Sequence, residues 1–345
     1  MRWFKKAVIA AALTLPFVAQ AQADTVEYPK LKLRLAHILT ANFPGSQVDQ
    51  WYIDEIKRRS DGKITIQPFW AGSMGRPQEF IDLAKSGSIE LFAVVPAYYA
   101  NEMPLSSIVL GVPFVYDSNA EAGRITTHLF QTNDNLKGEL ARNGLDLVFW
   151  HSLPGYRPLC TKKLESLDDF KGKRMRGFGE YYPRMWNALG ATSVNVMPAE
   201  VYESLMRDTM DCAFWAYDSF HAGKLYEVAK YTTDIDFGSQ ANYAIMASSK
   251  HWEKWPESVR NLLLEVGEEA KERDIALVQE KVTEAREDLL NNRGVQEVRI
   301  VDADRLHEVL PDMKAQWVQD MTQKGLGKEA QEIIDTINEE KAKGQ

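Results

Sequence analysis

One helical pattern constrains this fold more than any other feature of the sequence. It begins at Trp255-Pro256-Glu257, continues to about Asn291, and contains no internal proline over more than thirty residues. At 1.5 Å per residue such a helix is roughly 50 Å long, which is longer than one small domain. We therefore predict two lobes braced by one shared helix, in agreement with the domain number expected for 345 residues.

Short apolar runs alternate with helical patterns from Lys30 onward, which predicts an α/β fold built from βαβ units. Proline and glycine cluster at 154–158, as is typical of a chain that crosses between lobes. The predicted strands of the first lobe are Leu31–His37, Ile64–Phe69, Ile89–Val95, Asp146–Ser152 and a returning strand at Ala241–Ser248. The predicted helices are Ser46–Arg59, Arg76–Ser86, 119–142 and an amphipathic tail at Asp302–Gln345.

The first 23 residues have the pattern of a cleaved export signal. Arg2, Lys5 and Lys6 precede an apolar run at 7–18, and two small-x-small cleavage patterns follow. The apolar run is shorter than the roughly 20 residues that span a bilayer. We predict cleavage after Ala23, a mature chain that begins at Asp24, and a periplasmic protein without direct membrane insertion.

These patterns place the boundaries of the predicted parts. A signal peptide occupies 1–23, the first lobe occupies 24–153 and 241–280, and the second lobe occupies 154–240 and 281–345.

The charge of the chain argues against nucleic acid as a partner. The formal net charge is −8, and it becomes −11 once the three basic residues of the signal peptide are removed. Binding to phosphates requires a basic surface instead. An acidic protein that binds an anion must concentrate its positive groups locally, so an arginine in the interior is informative.

The two cysteines are too few for a metal cage but suffice for one disulfide in an oxidising compartment. Cys160 follows Arg157 by three residues, and Cys212 precedes Trp215 by three. If Arg157 and Trp215 face one pocket from antiparallel neighbouring strands, the cysteines also lie opposite each other. The sequence leaves open whether they form a bond.

Sequence signals of catalysis are weak. The six histidines are scattered and form no H-E-x-x-H motif. Gly72–Gly75 lacks the first glycine of G-x-S-x-G, and Gly177–Gly179 lacks the third glycine of a dinucleotide-binding loop. We therefore predict a protein that is not an enzyme, that uses no cofactor and that has no metal-ligating residues, while the sequence leaves open whether a metal ion assists ligand binding.

The segment Leu167–Tyr217 contains the clearest indication of a ligand. A short capped helix at 167–171 leads through Gly172 into a strand whose last charged residue is Arg176. Burial of a guanidinium at a strand end is energetically unfavourable unless an anion pairs with it. The pattern therefore predicts an anion-binding position at Arg176.

A series of short motifs over about 30–340 resembles, in shared order and spacing, the extracytoplasmic solute receptors of TRAP (tripartite ATP-independent periplasmic) transporters. The motifs of the first lobe are Arg34-Leu35-Ala36-His37, Asp61-Gly62-Lys63-Ile64, Gly72-Ser73-Met74-Gly75, Gly87-Ser88-Ile89-Glu90 and Val112-Pro113-Phe114. Those of the second lobe are Tyr156-Arg157, Asp169-Phe170-Lys171-Gly172-Lys173-Arg174-Met175-Arg176, Gly190-Ala191, Glu200-Val201-Tyr202 and Asp211-Cys212.

The resemblance implies a two-lobed periplasmic binding protein fold, with a hinge of crossing strands and a long helix under both lobes. It also implies closure on a small organic acid and delivery of that acid to a TRAP membrane permease. In this family the arginine at the position of Arg176 pairs with the carboxylate of the ligand, for which its planar fork is suited.

The resemblance implies further ligand contacts. At Trp215 many relatives carry Asn, and the flat indole here favours a compact or flat acid over polar sugar acids. For Arg157 a salt bridge in the hinge remains an alternative, as does core packing for Trp215 and His37. The complete predicted set is Arg176, Arg157, Trp215, His37, Phe43, Tyr98, Tyr99, Asn242 and Tyr243, and one of the two adjacent tyrosines is expected to pack away from the cleft.

Other functional classes remain open from the sequence alone. The nearest is an ABC-type receptor for an amino acid or a related solute. A periplasmic enzyme or the receptor of a membrane sensor is the alternative from a different class.

Overall fold

The structure is a computed structural model that describes residues 27–344, in which the strands form two sheets. The predicted signal peptide and its cleavage site lie outside these residues. The strands are β1 Leu31–Ala36, β2 Ile64–Phe69, β3 Leu91–Val94, β4 Leu145–Leu153, β5 Arg157–Cys160, β6 Arg174–Gly177, β7 Thr192–Asn195, β8 Cys212–Trp215, β9 Tyr231–Thr233, β10 Gln240–Ser248 and β11 Gln296–Val298. The helices are α1 Pro44–Arg59, α2 Phe80–Ser86, α3 Ile108–Gly111, α4 Asn119–Thr132, α5 Asp134–Arg142, α6 Tyr181–Ala188, α7 Val201–Met206, α8 Tyr217–Ala222, α9 Ser249–Trp252, α10 Glu257–Asn291, α11 Leu306–Val309, α12 Met313–Gln323 and α13 Gly327–Lys343.

The first sheet has the order β2-β1-β3-β10-β4 and forms the centre of what we call the first lobe. Strands β1, β2 and β3 are parallel, whereas β10 is antiparallel to both β3 and β4. All four residues of β3 are buried, as expected for a central strand covered on both faces. The returning strand predicted at Ala241–Ser248 is confirmed as β10.

The second sheet, with the order β11-β9-β5-β8-β6-β7, forms the centre of the second lobe. Strands β5 and β8 are antiparallel, with Arg157 opposite Trp215 and Cys160 opposite Cys212. The two cysteines form a disulfide, with their Cα atoms 4.0 Å apart. The predicted proximity of the cysteines is therefore confirmed. It follows from the pairing of Arg157 with Trp215, because Cys160 lies three residues after Arg157 and Cys212 lies three residues before Trp215.

Two chain crossings connect the sheets. One runs from β4 to β5 and the other from β9 to β10, and they are hydrogen-bonded to each other. The N–H of Phe237 donates to the carbonyl of Tyr156 at 2.9 Å, and the N–H of Tyr156 donates to Gly238 at 3.3 Å. The predicted crossing at 154–158 is thus one half of a paired connection between the lobes.

Helix α10 has 35 residues and contacts elements of both lobes, which confirms the brace predicted from its length. It packs against α1 and β4 and also against α8. At Gly267 a Cβ atom would lie 3.2 Å from the carbonyl oxygen of Val148, so glycine allows the helix to approach β4 closely.

Two predicted helices are wrong in their extent. The helix predicted at 119–142 is broken at Asn133, whose backbone is extended and whose side chain accepts the N–H groups of Asn135 and Leu136 as the cap of α5. The tail predicted as one helical segment consists of α11, α12 and α13, because Pro311 and Gly325, with φ of +78°, interrupt it.

The C-terminal helices contact both lobes. Helix α12 contacts α6, and its Trp317 donates to the hydroxyl of Ser107 at 3.0 Å. Helix α13 packs against α4, with an ion pair of 2.7 Å between Arg124 and Glu340.

The lobe boundaries given above remain predictions. Among residues 27–344, no helix combines the length and the apolar character needed to cross a membrane.

Candidate ligand-binding site

A cavity of about 40 Å³ lies between the two lobes. Its walls come from the loop before α1, the end of β3, the β4–β5 crossing, β6, the end of β8 and the middle of α10. One water molecule needs about 10–15 Å³, so the cavity can hold a small group of atoms. Four residues of the predicted set line it: Arg176, Trp215, Phe43 and Tyr98.

Arg176 projects from β6 and is only 2% exposed. Its Nε donates to the carbonyl of Val196 at 3.1 Å, and its Nη1 donates to that of Phe214 at 3.2 Å. Within residues 27–344 no carboxylate lies within 4.0 Å of its guanidinium. Burial consequently lowers the pKa of Arg176, although the nearby hydroxyls of Tyr98 and Tyr156 partly oppose this shift. A buried guanidinium without a counter-ion is the expected environment for an anionic ligand.

Aromatic rings surround this guanidinium. Its central carbon lies 4.4 Å from the ring centroid of Trp215 and 5.4 Å from that of Phe178. Phe43 lies immediately before α1 in the first lobe, and its ring is 5.5 Å from that of Trp215. The cavity therefore presents a cation held by flat apolar surfaces from both lobes.

The adjacent tyrosines have different environments. Tyr98 is half-buried and lines the cavity, and burial raises its pKa while Arg176 opposes the shift. Tyr99 is buried away from the cavity, and its hydroxyl donates to the carbonyl of Pro77.

Arg157 does not line the cavity, because protein carboxylates engage it instead. It pairs with Asp236 at 3.2 Å and with Glu297 at 4.0 Å, and its guanidinium lies 4.5 Å from the ring centroid of Tyr217. This is the hinge salt bridge that the sequence left as an alternative.

His37 and Tyr243 also lie outside the cavity lining, in a fully buried network centred on Asp49. The carboxylate of Asp49 accepts from His37 Nε2 at 2.8 Å, from His151 Nε2 at 2.9 Å and from the hydroxyl of Tyr243 at 2.6 Å. The N–H of Leu39 donates to Nδ1 of His37 at 3.0 Å, so Nε2 carries the proton that bonds Asp49. The side chain of Asn242 lies outside the described part of the structure.

The Asp49 network is charged. His151 also bonds Asp274 through Nδ1 at 2.7 Å. Burial alone would lower the pKa of His151, but the carboxylates of Asp49 and Asp274 raise it to about 10. Burial would conversely raise the pKa of Asp49, but the charge and hydrogen bonds of His151, followed by those of His37, hold it well below its usual range. His151 is therefore an imidazolium at neutral pH.

The sequence interpretation missed Asp218 and Asp274, which both line the cavity. A signal for Asp274 was present, because it lies in the buried stripe of α10 that contains Ala270 and Val278. An acid within an otherwise apolar stripe indicates either a buried partner or a ligand. Asp49 occupies the same kind of position in α1, between Val48 and Tyr52.

The family of the chain follows from its sequence together with this fold. The sequence model of the family described as "Bacterial extracellular solute-binding protein, family 7" matches residues 35–324. The chain belongs to this family.

Curated relatives resemble the chain over most of its length. A solute-binding protein of Chromohalobacter salexigens is 22% identical over 317 residues, which cover 91% of this chain and 90% of that protein. The C4-dicarboxylate-binding periplasmic protein DctP of Rhodobacter capsulatus is 20% identical, and the alignment covers 91% of this chain and 89% of that protein.

Solved structures of solute-binding proteins share the fold. An extracytoplasmic solute receptor of Bordetella pertussis that binds pyroglutamic acid has a TM-score of 0.79 at 20% identity, covering 89% of this chain and 99% of that one. A TRAP periplasmic solute binding protein of Desulfovibrio salexigens with bound orotic acid has a TM-score of 0.78 at 22% identity, covering 90% of this chain and 99% of that one. The two-lobed α/β fold predicted from the sequence is therefore confirmed, and the TRAP-type receptor fits better than the ABC-type alternative.

Proposed function

We propose that this solute-binding protein of family 7 is a periplasmic receptor that encloses a small organic acid between its lobes and delivers it to a TRAP-type membrane permease. Arg176 is the observation that carries the proposal. It is buried in the cavity between the lobes, and no carboxylate of residues 27–344 lies within 4.0 Å of it. A ligand carboxylate supplies the missing counter-ion and the acceptors for charge-assisted hydrogen bonds.

The ligands of the solved relatives support this chemistry. The proteins mentioned above bind pyroglutamic acid and orotic acid, and another from Chromohalobacter salexigens holds D-glucuronate. Each of these molecules carries a carboxylate. The cavity in this chain is small, and Trp215 and Phe43 form flat walls, which favours a compact or flat acid.

In this proposal four residues of the predicted set contact the ligand: Arg176, Trp215, Phe43 and Tyr98. The other predicted residues have supporting roles, and Arg157 holds the hinge through its ion pair with Asp236. The receptor binds and releases its ligand chemically unchanged, in keeping with relatives that are named as binding proteins.

A ligand screen tests the proposal. Purified mature protein is heated with pyroglutamate, orotate, succinate and D-glucuronate, and mass spectrometry identifies any acid that co-purifies. We expect at least one carboxylate to raise the melting temperature of the wild type and to be recovered unchanged. The Arg176→Ala variant should lose this gain. Equal stabilisation of the variant, or consumption of the acid, would contradict the proposal.

A further inference from the structure

Asp218 is a second charged group that lines the cavity and lacks a partner of opposite charge. It lies in α8, directly after the strand that carries Trp215, and it is 5% exposed. Its Oδ1 accepts the N–H of the neighbouring Ser219 at 2.7 Å. No lysine, arginine or histidine of residues 27–344 lies within 4.0 Å of its carboxylate. A buried carboxylate in this state requires a compensating donor.

The other carboxylate of the cavity is already satisfied. Asp274 bonds His151 through Oδ1 at 2.7 Å, and its Oδ2 accepts from the N–H of Ser152 at 2.8 Å and from its hydroxyl at 3.1 Å. Ser219 also bonds Asp218, through its N–H and its side chain, so the contrast lies in the missing cation: Asp218 is the cavity carboxylate without a partner of opposite charge.

Asp218 and Arg176 do not neutralise each other, although they line the same space. No ion pair joins them within 4.0 Å. The phenol of Tyr156, also in the lining, is affected by both charges: burial raises its pKa, Arg176 opposes this shift and Asp218 adds to it. The cavity is therefore bipolar, with a cation in one part of its wall and a carboxylate in another.

We infer that the ligand is a zwitterion, with a carboxylate bound by Arg176 and a positively charged nitrogen, such as the ammonium group of an amino acid, bound by Asp218. This inference rests on the proposed function and specifies its substrate class. A simple carboxylate would satisfy Arg176 but would leave Asp218 buried and uncompensated, whereas a zwitterion satisfies both groups without changing the net charge of the site.

The alternative is a protonated Asp218 that donates a hydrogen bond to an anionic ligand. Burial raises the pKa of Asp218 to about 6, opposed by the hydrogen bonds of Ser219 and assisted by the charge of Asp274, so the ionised form prevails at neutral pH. Affinity for a zwitterion should therefore fall as the pH drops below about 6, whereas affinity that depends on a protonated Asp218 should rise. The other titratable groups around Asp218 are those of the cavity and of an adjoining outer groove, namely Tyr98, Tyr156, Arg176, Asp274, His221, Lys281, Glu284 and Asp288.

The test compares amino acids with the same acids that lack the amino group. L-leucine is paired with isocaproate, L-proline with cyclopentanecarboxylate, and L-glutamate with glutarate, and calorimetry near neutral pH measures binding to the mature protein. We expect at least one amino acid to bind about ten- to a hundredfold more tightly than its partner, as is typical of a hydrogen bond between charged groups.

Two variants with the same substitution decide the assignment. Asp218→Asn should abolish the preference for the amino acid, whereas Asp288→Asn, at the outer groove, should keep it. Equal or tighter binding of the acids without the amino group, or an unchanged preference in Asp218→Asn, would overturn the inference and leave the receptor for organic acids intact. Failure of every amino acid to bind would overturn the inference alone, and failure of both series together with all four acids of the ligand screen would overturn the proposed function as well.

Discussion

The ring of Phe43 in the first lobe lies 5.5 Å from the ring of Trp215 in the second lobe, and Trp215 in turn covers the guanidinium of Arg176. This contact closes one wall of the cavity with a residue from each lobe. It connects the position of Arg176 to the relative position of the lobes.

Trp215→Ala should weaken binding more than folding. The indole contacts Arg176 and Phe43, and aromatic contacts contribute about 0.5–1.5 kcal/mol beyond the apolar area that they bury. We expect calorimetry to show an affinity loss of about tenfold or more. Trp255→Ala is the matched control, because Trp255 is buried against His251 and Trp252 away from the cavity. That variant should lose about 3–5 kcal/mol of stability and retain its affinity per folded molecule. The reverse pattern would place Trp215 in the structural core only.

Arg176→Ala should nearly abolish binding of the carboxylate. Truncation of one partner of a buried charge pair costs about 2–5 kcal/mol, or roughly thirtyfold to several thousandfold in Kd. Arg176→Lys should restore only part of the affinity, because a lysine lacks the planar fork. The control is Arg174→Ala on the same strand, since Arg174 pairs with Asp208 and Asp211 near the surface. Wild-type affinity in Arg176→Ala, measured by calorimetry, would refute the role of this residue.

His151 should make stability depend on alkaline pH. Its folded-state pKa of about 10 lies above its ordinary value of 6.5, so its contribution is complete below about 6.5 and is lost as the pH rises through about 10. Urea unfolding of the wild type should show a loss of up to about 1.4 kcal/mol per pH unit in this range.

The His151→Gln variant tests the source of this slope. It leaves Asp49 and Asp274 without their cation and should cost about 3–5 kcal/mol at neutral pH. The alkaline slope should also become shallower. His221→Gln removes a half-exposed partner of Asp288 and should change stability by about 1 kcal/mol or less. An unchanged slope in His151→Gln would show that His151 is neutral in the folded protein.

Loss of the disulfide should destabilise the second lobe without changing which class of ligand the protein binds. Cys160 and Cys212 are separated by 52 residues, and cross-links of such loops contribute about 2–4 kcal/mol. The double variant Cys160→Ala/Cys212→Ala should unfold at lower urea concentration and should no longer respond to reductant. Two free thiols titrated in unfolded, non-reduced wild type would contradict the bond.

The exported protein should begin at Asp24. The basic residues, short apolar run and alanine cleavage pattern of the first 23 residues are the reason. N-terminal sequencing of the periplasmic fraction checks this, and a sequence that starts at Met1 would refute it.

The sequence alone predicted much of this protein because several of its signals are local. The length of α10 required two lobes to cover it, and the pattern of β6 placed Arg176 as the last charged residue of a buried strand. The equal offsets of Cys160 from Arg157 and of Cys212 from Trp215 predicted the register of β5 with β8. Each of these inferences depends on periodicity or spacing within a few elements.

Only the tertiary structure decided which polar side chains face the ligand cavity. The sequence left His37 either as a ligand contact or as a core residue, and the structure shows it bonded to Asp49 in α1, which lies 12 residues away. The stripe of α10 indicates that Asp274 is buried but not what it faces, and nothing in the local pattern of α8 places Asp218 in the cavity. A buried charge must be compensated, and its partner can come from any element that packs against it, so spacing along the chain does not identify that partner. The position of the buried arginine was therefore predictable from the sequence, whereas the second charge of the cavity required the packed lobes.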